Sequence, residues 1–223
     1  MSTIAILIPC YNEESTISKV IEDIRRDLTY DAEIYVCDNN STDETAYKAR
    51  FAGAHVSRCS IQGKGATVRK MLSEIKADIY VMIDGDDTYD TSSMDDLIHP
   101  IVSGQCDLVL GDRLTRCKDV VSAKKIHGFG NSLVQKLLNN KYNVSIPDYL
   151  TGYRAFSKEF IQDYYIKYYG FELEVELDIH ALKCNYSIQS IPINYKERPN
   201  LSKSKVHTVV DGVKILNAIK ALT

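Results

Sequence analysis

IAILIPCYNEE (residues 4–14) changes within a few positions from an apolar run to a polar tail. Short, continuous apolar runs are typical of strands that are buried on both faces of a parallel sheet. Three further runs of this kind follow along the chain: EIYVCDN (33–39), DIYVMID (78–84) and CDLVLGD (106–112). We therefore predict four buried strands whose carboxyl ends carry the polar side chains.

Helical periods separate the predicted strands. Apolar residues recur at positions i, i+3, i+4 and i+7 in three stretches, residues 17–28, 68–75 and 94–102. Ser41 and Glu44 have the spacing of a capping box, which predicts a further helix that Gly53 can end. The alternation of strand and helix over residues 1–112 predicts right-handed crossovers and an open α/β sheet.

The second half of the chain is less regular. Three more helices are expected, around residues 129–138, 171–182 and 209–222, the last of them amphipathic. The stretch SIQSIPINY (187–195) predicts a strand, and Pro192 places it near a sheet edge because proline donates no ladder hydrogen bond. Residues 199–206 lack periodicity and predict a loop.

The composition is that of a globular protein, with 44% hydrophobic and 26% charged residues in a chain of 223. The six cysteines are scattered and form no CxxC pair, which indicates a reducing cytosol and neither disulfides nor a zinc site. No apolar run reaches the roughly 18 residues that span a bilayer, and the first residues do not have the pattern of a signal peptide. These features predict a cytoplasmic chain without a membrane span.

The net charge of −3 argues against a general nucleic-acid binder, which needs a strongly basic face. The charge is unevenly spread, because residues 196–223 carry +4 and the rest of the chain carries −7. We therefore expect anionic ligands to prefer the C-terminal end.

Two segments carry residues suited to chemistry. In DGDDTYD (84–90), Asp84 and Asp86 flank a glycine, and such a turn can direct two hard oxygen ligands at one Mg²⁺ or Mn²⁺. Carboxylates at strand ends also simply cap helices, so this motif alone leaves both interpretations open. The segment QGKGATVRK (62–70) could cradle a phosphate on backbone N–H groups, or form a flexible turn that leaves Lys64 in solvent.

Taken in this order and spacing, these segments resemble the family-two inverting glycosyltransferases, in particular the branch of dolichyl-phosphate mannosyltransferase and the bacterial polyprenyl-phosphate glycosyltransferases. The resemblance covers nearly the whole chain. It rests on IPCYNEE (8–14), DNNSTD (38–43), GKGATVR (63–69), DGDDTYD (84–90), LVLGDR (108–113), HGFGN (127–131), DYLTGYRAF (148–156), GFELEVEL (170–177) and RPNLSKSKV (198–206).

The resemblance implies the nucleotide-diphosphosugar transferase fold, which is the glycosyltransferase A-type α/β sandwich with a mostly parallel central sheet. It implies a single domain over residues 1–223. Residues 1–112 would form the half that binds the nucleotide sugar, and residues 113–223 would form the acceptor half with the amphipathic C-terminal helix.

The same resemblance implies a nucleotide-diphosphosugar donor, a Mg²⁺ or Mn²⁺ cofactor, and inversion at the anomeric carbon. The residues it matches to nucleotide binding are Pro9, Tyr11, Glu13, Asp38, Lys64, Asp84, Gly85 and Asp86. Asp38 would read the base, while Asp84 and Asp86 would hold the metal against the diphosphate.

For the acceptor, the resemblance implies a polyprenyl phosphate held by basic side chains. The matching positions are Arg113, His127, Arg198, Lys203 and Lys205. Asp148 and Arg154 belong to the D-x-x-x-G-x-R element and are the expected catalytic residues. Asp148 would orient or deprotonate the acceptor, and Arg154 would supply positive charge near the acceptor or the diphosphate.

The sequence departs from the family pattern at three points. Thr88 stands where mannosyltransferase relatives have a metal-binding glutamine, and His127 replaces an arginine of the acceptor site. Many bacterial relatives continue into membrane helices, whereas this sequence ends at Thr223. Contact with the cytoplasmic face of a membrane would then come from the amphipathic last helix or from a membrane-protein partner, although that helix could equally pack against the core.

Two other functions remain open from the sequence. The acceptor could be a sugar hydroxyl of a surface polysaccharide or glycolipid, which needs a base, whereas a phosphate monoester is already a nucleophile at neutral pH. The chain could also be a sugar-nucleotide-binding module without catalysis, because Thr88 and His127 differ from the pattern. A sugar-1-phosphate nucleotidyltransferase is disfavoured, since residues 8–14 lack the glycine-rich loop it needs.

Overall fold

The computed structural model describes residues 2–116, 129–162, 164–199 and 208–223. The strands are β1 (Ile4–Cys10), β2 (Glu33–Asp38), β3 (His55–Arg58), β4 (Ile79–Met82), β5 (Leu108–Asp112), β6 (Arg154–Ser157) and β7 (Ile188–Pro192). The helices are α1 (Ile17–Asp27), α2 (Thr45–Phe51), α3 (Lys64–Glu74), α4 (Met94–Val102), α5 (Phe129–Tyr142), α6 (Lys158–Ile161), α7 (Leu173–Lys183) and α8 (Thr208–Leu222).

The strands form one sheet in the order β3-β2-β1-β4-β6-β5-β7. Each neighbouring pair is parallel except the two pairs made by β6, which runs antiparallel to both β4 and β5. The predicted α/β fold with a mostly parallel sheet is therefore confirmed. The predicted edge position of Pro192 is also confirmed, because β7 is an outer strand.

Two apolar layers cover the sheet because alternate residues of each strand point to opposite faces. Ile4, Ile6 and Ile8 of β1 pack in one layer with α1 and α4, whereas Ala5 and Leu7 pack in the other with α3, α7 and α8. The molecule is thus an α/β sandwich, as expected.

Helix α8 packs its apolar side on the core. Ile215, Ala218 and Ile219 are buried, while Val210 and Val213 are exposed. No helix among the described residues has the length and apolar character needed to cross a bilayer.

The capping box expected at the start of α2 is not formed. Glu44 stands at the N-cap and its side chain makes no capping hydrogen bond. The Ser41 hydroxyl instead accepts a hydrogen bond from the Asn12 amide at 2.9 Å. This hydrogen bond joins the loops that follow β1 and β2. Gly53 follows the helix with a φ of +87°, which confirms its predicted role in ending it.

Candidate active site

Several loops meet at one edge of the sheet because the parallel strands all end there. The segments after β1, β2, β4, β5 and β7 reach this edge, and the segment before the antiparallel β6 reaches it from the other direction. Ligands of open α/β sheets bind outside the carboxyl ends of the strands. The polar tails that the sequence singled out are therefore brought together.

The loops after β1 and β2 are fastened to each other by hydrogen bonds. The side-chain oxygen of Asn12, whose φ is +52°, accepts from the Thr42 amide at 2.8 Å. The amide of Glu13 donates to the Thr45 hydroxyl at 2.8 Å. Pro9 is half-buried at the end of β1, Tyr11 is partly exposed and Glu13 is buried, so these residues form one wall of the cleft.

Asp38 and Asn39 close the end of β2. Asp38 is buried, and its carboxylate accepts from the Ser41 amide at 3.2 Å. Asn39 was not among the predicted site residues, yet its side chain accepts from the Gly63 amide at 2.7 Å and donates to the Ile61 carbonyl at 2.7 Å. Asn39 therefore fixes the loop that leads into α3. Its place beside Asp38 at a strand end was the feature that could have indicated this.

The D-x-D turn after β4 requires its central glycine. A Cβ atom on Gly85 would lie 2.6 Å from the Cys10 sulfur, so any side chain there would collide with β1. Asp86 is buried and accepts from the Thr88 hydroxyl at 2.6 Å. Arg198 forms an ion pair with Asp86. Burial and the charge of Asp84 raise the pKa of Asp86 in spite of Arg198.

Lys64 lies beside the same turn. Its Nζ atom is 2.6 Å from Asp84 Oδ1 and 2.9 Å from Glu174 Oε1. Burial on its own would lower the pKa of Lys64, but the two carboxylates outweigh burial and raise it above the ordinary value. Lys64 is thus a buried, permanently charged group, and it is not the solvated side chain of a flexible turn.

The glycine-rich start of α3 does not form a phosphate cradle. The Gly65 amide donates to the Gly170 carbonyl and the Ala66 amide to the Tyr169 carbonyl, each at 3.2 Å. A Cβ on Gly65 would lie 2.1 Å from the Tyr168 carbonyl oxygen, so glycine is needed for this close backbone approach. The N–H groups of Gly63, Gly65 and Ala66 are thus bonded to protein oxygens, which argues against the cradle interpretation.

The D-x-D carboxylates fit a divalent cation. Among the described residues there is no cluster of three or more His, Cys, Asp or Glu that could enclose a metal. Mg²⁺ is usually held by one or two carboxylates and completed by substrate phosphates and water, which is the donor set that Asp84 and Asp86 offer. Thr88 donates to Asp86 and fixes one oxygen of the pair.

Asp148 and Arg113 form a largely buried ion pair with two hydrogen bonds just after the end of β5. Arg113 Nε donates to Asp148 Oδ2 at 2.7 Å and Arg113 Nη2 donates to Asp148 Oδ1 at 2.9 Å. Burial alone would raise the pKa of Asp148, but Arg113 lowers it below its ordinary value. The Arg113 guanidinium also lies over the Tyr195 ring, 5.4 Å from its centroid. Asp148 therefore orients Arg113 and is held as a carboxylate.

Residues 5–165 match the family described as Glycosyl transferase family 2. The chain belongs to this family and is a glycosyltransferase. Its curated relatives include glycosyltransferase AglJ of Haloferax volcanii, which is 33% identical over 94% of this chain and 68% of its own length. They also include a dolichyl-phosphate hexose transferase of the same organism, which is 32% identical over 90% of this chain and 86% of its own length.

The fold of this family 2 glycosyltransferase is shared with a solved enzyme. Glucosyl-3-phosphoglycerate synthase of Mycobacterium tuberculosis, in complex with Mn²⁺, uridine diphosphate and glucosyl-3-phosphoglycerate, aligns with a TM-score of 0.82. The alignment covers 99% of this chain and 80% of the synthase at 22% identity. A likeness at this identity establishes the common fold alone.

One expected catalytic residue of the glycosyltransferase lies beneath the cleft. The Arg154 side chain has no exposed surface and pairs with Asp178 at 3.0 Å. It also donates to the carbonyls of Tyr149, Thr151 and Glu174. All these partners are protein groups, so Arg154 positions the segment before β6. This corrects the expectation that Arg154 supplies charge directly to a substrate.

The remaining predicted acceptor residues are only partly placed. Arg198 lies at the D-x-D turn, where its guanidinium is also 3.7 Å from Glu13 Oε1. His127, Lys203 and Lys205 lie outside the described residues. A cavity of about 180 Å³ opens next to Asp148, lined by Leu114, Thr115, Asn131, Ser132, Gln135 and Pro147. Asn131 links the cavity to the Arg113 pair, because its side chain donates to Asp148 at 3.4 Å.

Proposed function

We propose that this glycosyltransferase transfers a sugar from a nucleotide-diphosphosugar to a polyprenyl phosphate, with inversion and with Mg²⁺ or Mn²⁺. The observation that carries the proposal is the D-x-D turn, whose two carboxylates follow β4 at the sheet edge where Asp38 ends β2. The name of the dolichyl-phosphate hexose transferase, at 32% identity over most of both chains, supports a lipid phosphate as the acceptor.

On the donor side, the wall after β1 and β2 would hold the nucleoside, with Asp38 facing the base. Asp84 and Asp86 would hold the divalent cation, which supplies charge neutralisation to the departing nucleoside diphosphate. Asp86 is fixed by Thr88 and Asp84 by Lys64, so both carboxylates are oriented before the donor arrives. Such preorganisation favours the transition state because little rearrangement is left for the reaction itself.

On the acceptor side, the state of Asp148 favours a phosphate over a hydroxyl. Both oxygens of Asp148 are engaged by Arg113, and its lowered pKa makes it a poor proton acceptor. A phosphate monoester, with a second pKa near 6, needs no base at neutral pH. Arg113 and Arg198, together with Lys203 and Lys205 of the basic C-terminal stretch, would hold its charge while it attacks the anomeric carbon from the face opposite the diphosphate.

Asp148→Asn is therefore expected to lower kcat less than about tenfold on a short polyprenyl phosphate, since no proton has to be removed and an amide oxygen at this position can still accept from Arg113. If a sugar hydroxyl were the nucleophile and Asp148 its base, the loss would reach about 10²-fold to 10⁴-fold. Initial rates at saturating acceptor, for the wild type and the variant on a polyprenyl phosphate and on free sugars, distinguish the two acceptors. A wild type that uses only sugars would refute the lipid-phosphate proposal, and one that uses no acceptor and hydrolyses no donor would be a binding module.

Asp38→Ala is expected to weaken nucleoside diphosphate binding at least tenfold, because it removes the carboxylate that faces the base. The cost in stability should be about 1 kcal/mol, the value of its hydrogen bond to the Ser41 amide. A thermal-shift screen of nucleoside diphosphates with Mn²⁺ identifies the ligand, since binding to the folded state raises Tm, and calorimetry then measures Kd.

Asp112→Ala is the matched control for this measurement. Asp112 also ends a strand, is buried, and accepts from the Leu114 amide at 2.8 Å. It should lose similar stability and keep nucleotide affinity. Equal affinity in Asp38→Ala and the wild type would remove Asp38 from the nucleotide site.

A further inference from the structure

Lys64 joins two acidic groups that are 90 positions apart in the sequence. One is Asp84 of the D-x-D turn, and the other is Glu174, which lies 110 positions after Lys64 in the first turn of α7. The side chains of Lys64 and Glu174 are each 9% exposed, while that of Asp84 is 27% exposed. Glu174 is thus the enclosed partner of Lys64, and Asp84 is the partner that is more exposed to solvent.

The backbone around Lys64 holds it in this place. Gly63 and Gly65 allow the start of α3 to lie directly on the backbone of residues 168–170. On the other side, a Cβ on Gly152 would be 2.8 Å from Lys64 Nζ and 2.4 Å from Asp84 Oδ2. The Gly152 backbone therefore covers the ion pair, and Lys64 has little room to turn away from Asp84.

Glu174 is held through both its main chain and its side chain. Its main-chain oxygen accepts from Arg154 Nη1 at 3.2 Å, while its carboxylate binds Lys64. The other buried acids of α7 bind elsewhere: Glu176 accepts from the Lys167 and Tyr168 amides, and Asp178 pairs with Arg154. Within α7, Glu174 is the acid whose side chain reaches the D-x-D turn through Lys64.

The charge of Lys64 creates a conflict at this turn. An ammonium 2.6 Å from Asp84 orients that carboxylate but also competes with a divalent cation for its oxygens. A second carboxylate on the same ammonium shares its positive charge. Lys64 then still orients Asp84 through their hydrogen bond, while Asp84 retains the negative charge that a metal needs.

We propose that Glu174 is a positioning residue that acts through Lys64 to keep Asp84 oriented and available to a divalent cation. The inference rests on the proposed metal-dependent function of the D-x-D turn. It assigns a role to an acid whose carboxylate binds Lys64.

The test is direct binding of Mn²⁺, followed by the loss of the free-ion electron paramagnetic resonance signal. It is run with Mn²⁺ alone, with Mn²⁺ and uridine diphosphate, and with Mn²⁺ and guanosine diphosphate. Glu174→Gln should weaken Mn²⁺ binding roughly tenfold, the lower end of the range for groups that support a metal ligand from behind. Glu172→Gln, which removes the same charge two positions earlier on a residue with no ion pair to Lys64 among the described residues, should bind as the wild type does.

A double-mutant cycle separates this role from a general effect of charge or structure. In a Lys64→Met background, the change Glu174→Gln should alter Mn²⁺ affinity less than about twofold, because the group through which Glu174 acts is gone. A loss of full size in that background would overturn the proposal. If Glu174→Gln does not fold, Glu174→Ala removes the same carboxylate and takes its place, and wild-type affinity in that variant would also overturn the proposal.

The outcomes distinguish this inference from the proposed function. If the wild type binds no Mn²⁺ under any of the three conditions, or if Asp86→Asn does not change binding, the metal-dependent function fails and the inference fails with it. If the wild type binds Mn²⁺ through Asp86 and Glu174→Gln binds equally well, the inference alone fails.

Discussion

Asp86→Asn is expected to lower turnover roughly 10³-fold, the effect of losing several kcal/mol of transition-state stabilisation at a divalent cation. A neutral amide is a poor ligand for a hard cation. Asp86 is also buried, so water cannot easily take the place of its carboxylate as a ligand. The fold should remain intact, because burial and Asp84 already disfavour the charged form of Asp86 and raise its pKa. Rates with a saturating donor, and Mn²⁺ binding by the same variant, measure the effect.

Asp87→Asn is the matched control for this prediction. Asp87 is the next residue, but its carboxylate turns away to Lys19 at 3.0 Å and Lys196 at 2.7 Å. Its φ of +60° suits asparagine as well as aspartate, so the backbone should not change. Asp87→Asn should keep turnover within about threefold, since both lysine partners are about half exposed to solvent and ion pairs with solvated lysines contribute little. Full activity in Asp86→Asn would exclude Asp86 as a required metal ligand.

The strands that the sequence predicts are those whose burial is encoded locally. β1, β2, β4 and β5 are apolar runs, and an apolar run reveals its burial without knowledge of its neighbours. The two strands that were not predicted lack this pattern. β3 is a half-exposed edge strand of four residues, and β6 begins with a buried arginine, which a sequence pattern treats as a surface residue.

The location of a candidate residue was predictable where the order of strands and helices alone determines it. Asp38, Asp84 and Asp86 follow strands that end at one sheet edge, so their meeting follows from the order of strands and helices. Arg154 was misplaced for the opposite reason. Its partner Asp178 lies 24 positions away on α7, and only the packed structure shows that the arginine is bound inside the core.

The glycines of the α3 segment show a further limit. Glycines such as Gly63 and Gly65 indicate that another group approaches the backbone closely, and in the structure protein carbonyls do so. A phosphate and a protein carbonyl both present an oxygen to an N–H group, so the pattern is the same for either. The identity of the partner, here the carbonyls of Tyr169 and Gly170, depends on contacts about 100 residues apart.

Arg154→Met is expected to destabilise the fold by about 3–5 kcal/mol, the cost of removing one partner of a buried ion pair. The substitution leaves the Asp178 carboxylate without its cation, and Asp178 Oδ2 already has no hydrogen-bond partner among the described residues. It also frees the Thr151 carbonyl, which Arg154 Nη2 binds at 2.7 Å. Urea denaturation gives the free energy of unfolding, and Arg154→Lys, which keeps the charge but not the planar fork, should lose less.

The pH dependence of this loss identifies its cause. Burial raises the pKa of Asp178 to about 7 even though Arg154 opposes the rise. A group whose pKa is raised on folding contributes stability that is complete below its unfolded pKa and is lost as pH rises through its folded pKa. In the wild type this loss falls between about pH 4 and pH 7. Without Arg154 the folded pKa lies higher still, so the loss continues above pH 7.

The difference in unfolding free energy between the wild type and Arg154→Met should therefore be larger at about pH 8.5 than at about pH 6. Adding Asp178→Leu removes the titrating group, so the double variant should be more stable than Arg154→Met. The destabilisation that remains relative to the wild type comes from the carbonyls that have lost their hydrogen bonds to Arg154. The difference between the double and the single variant should grow with pH, because the charged Asp178 is what the single variant cannot accommodate. A loss in Arg154→Met that is below about 1 kcal/mol, or that does not change with pH, would show that the Asp178 pair does not hold the segment before β6 in place.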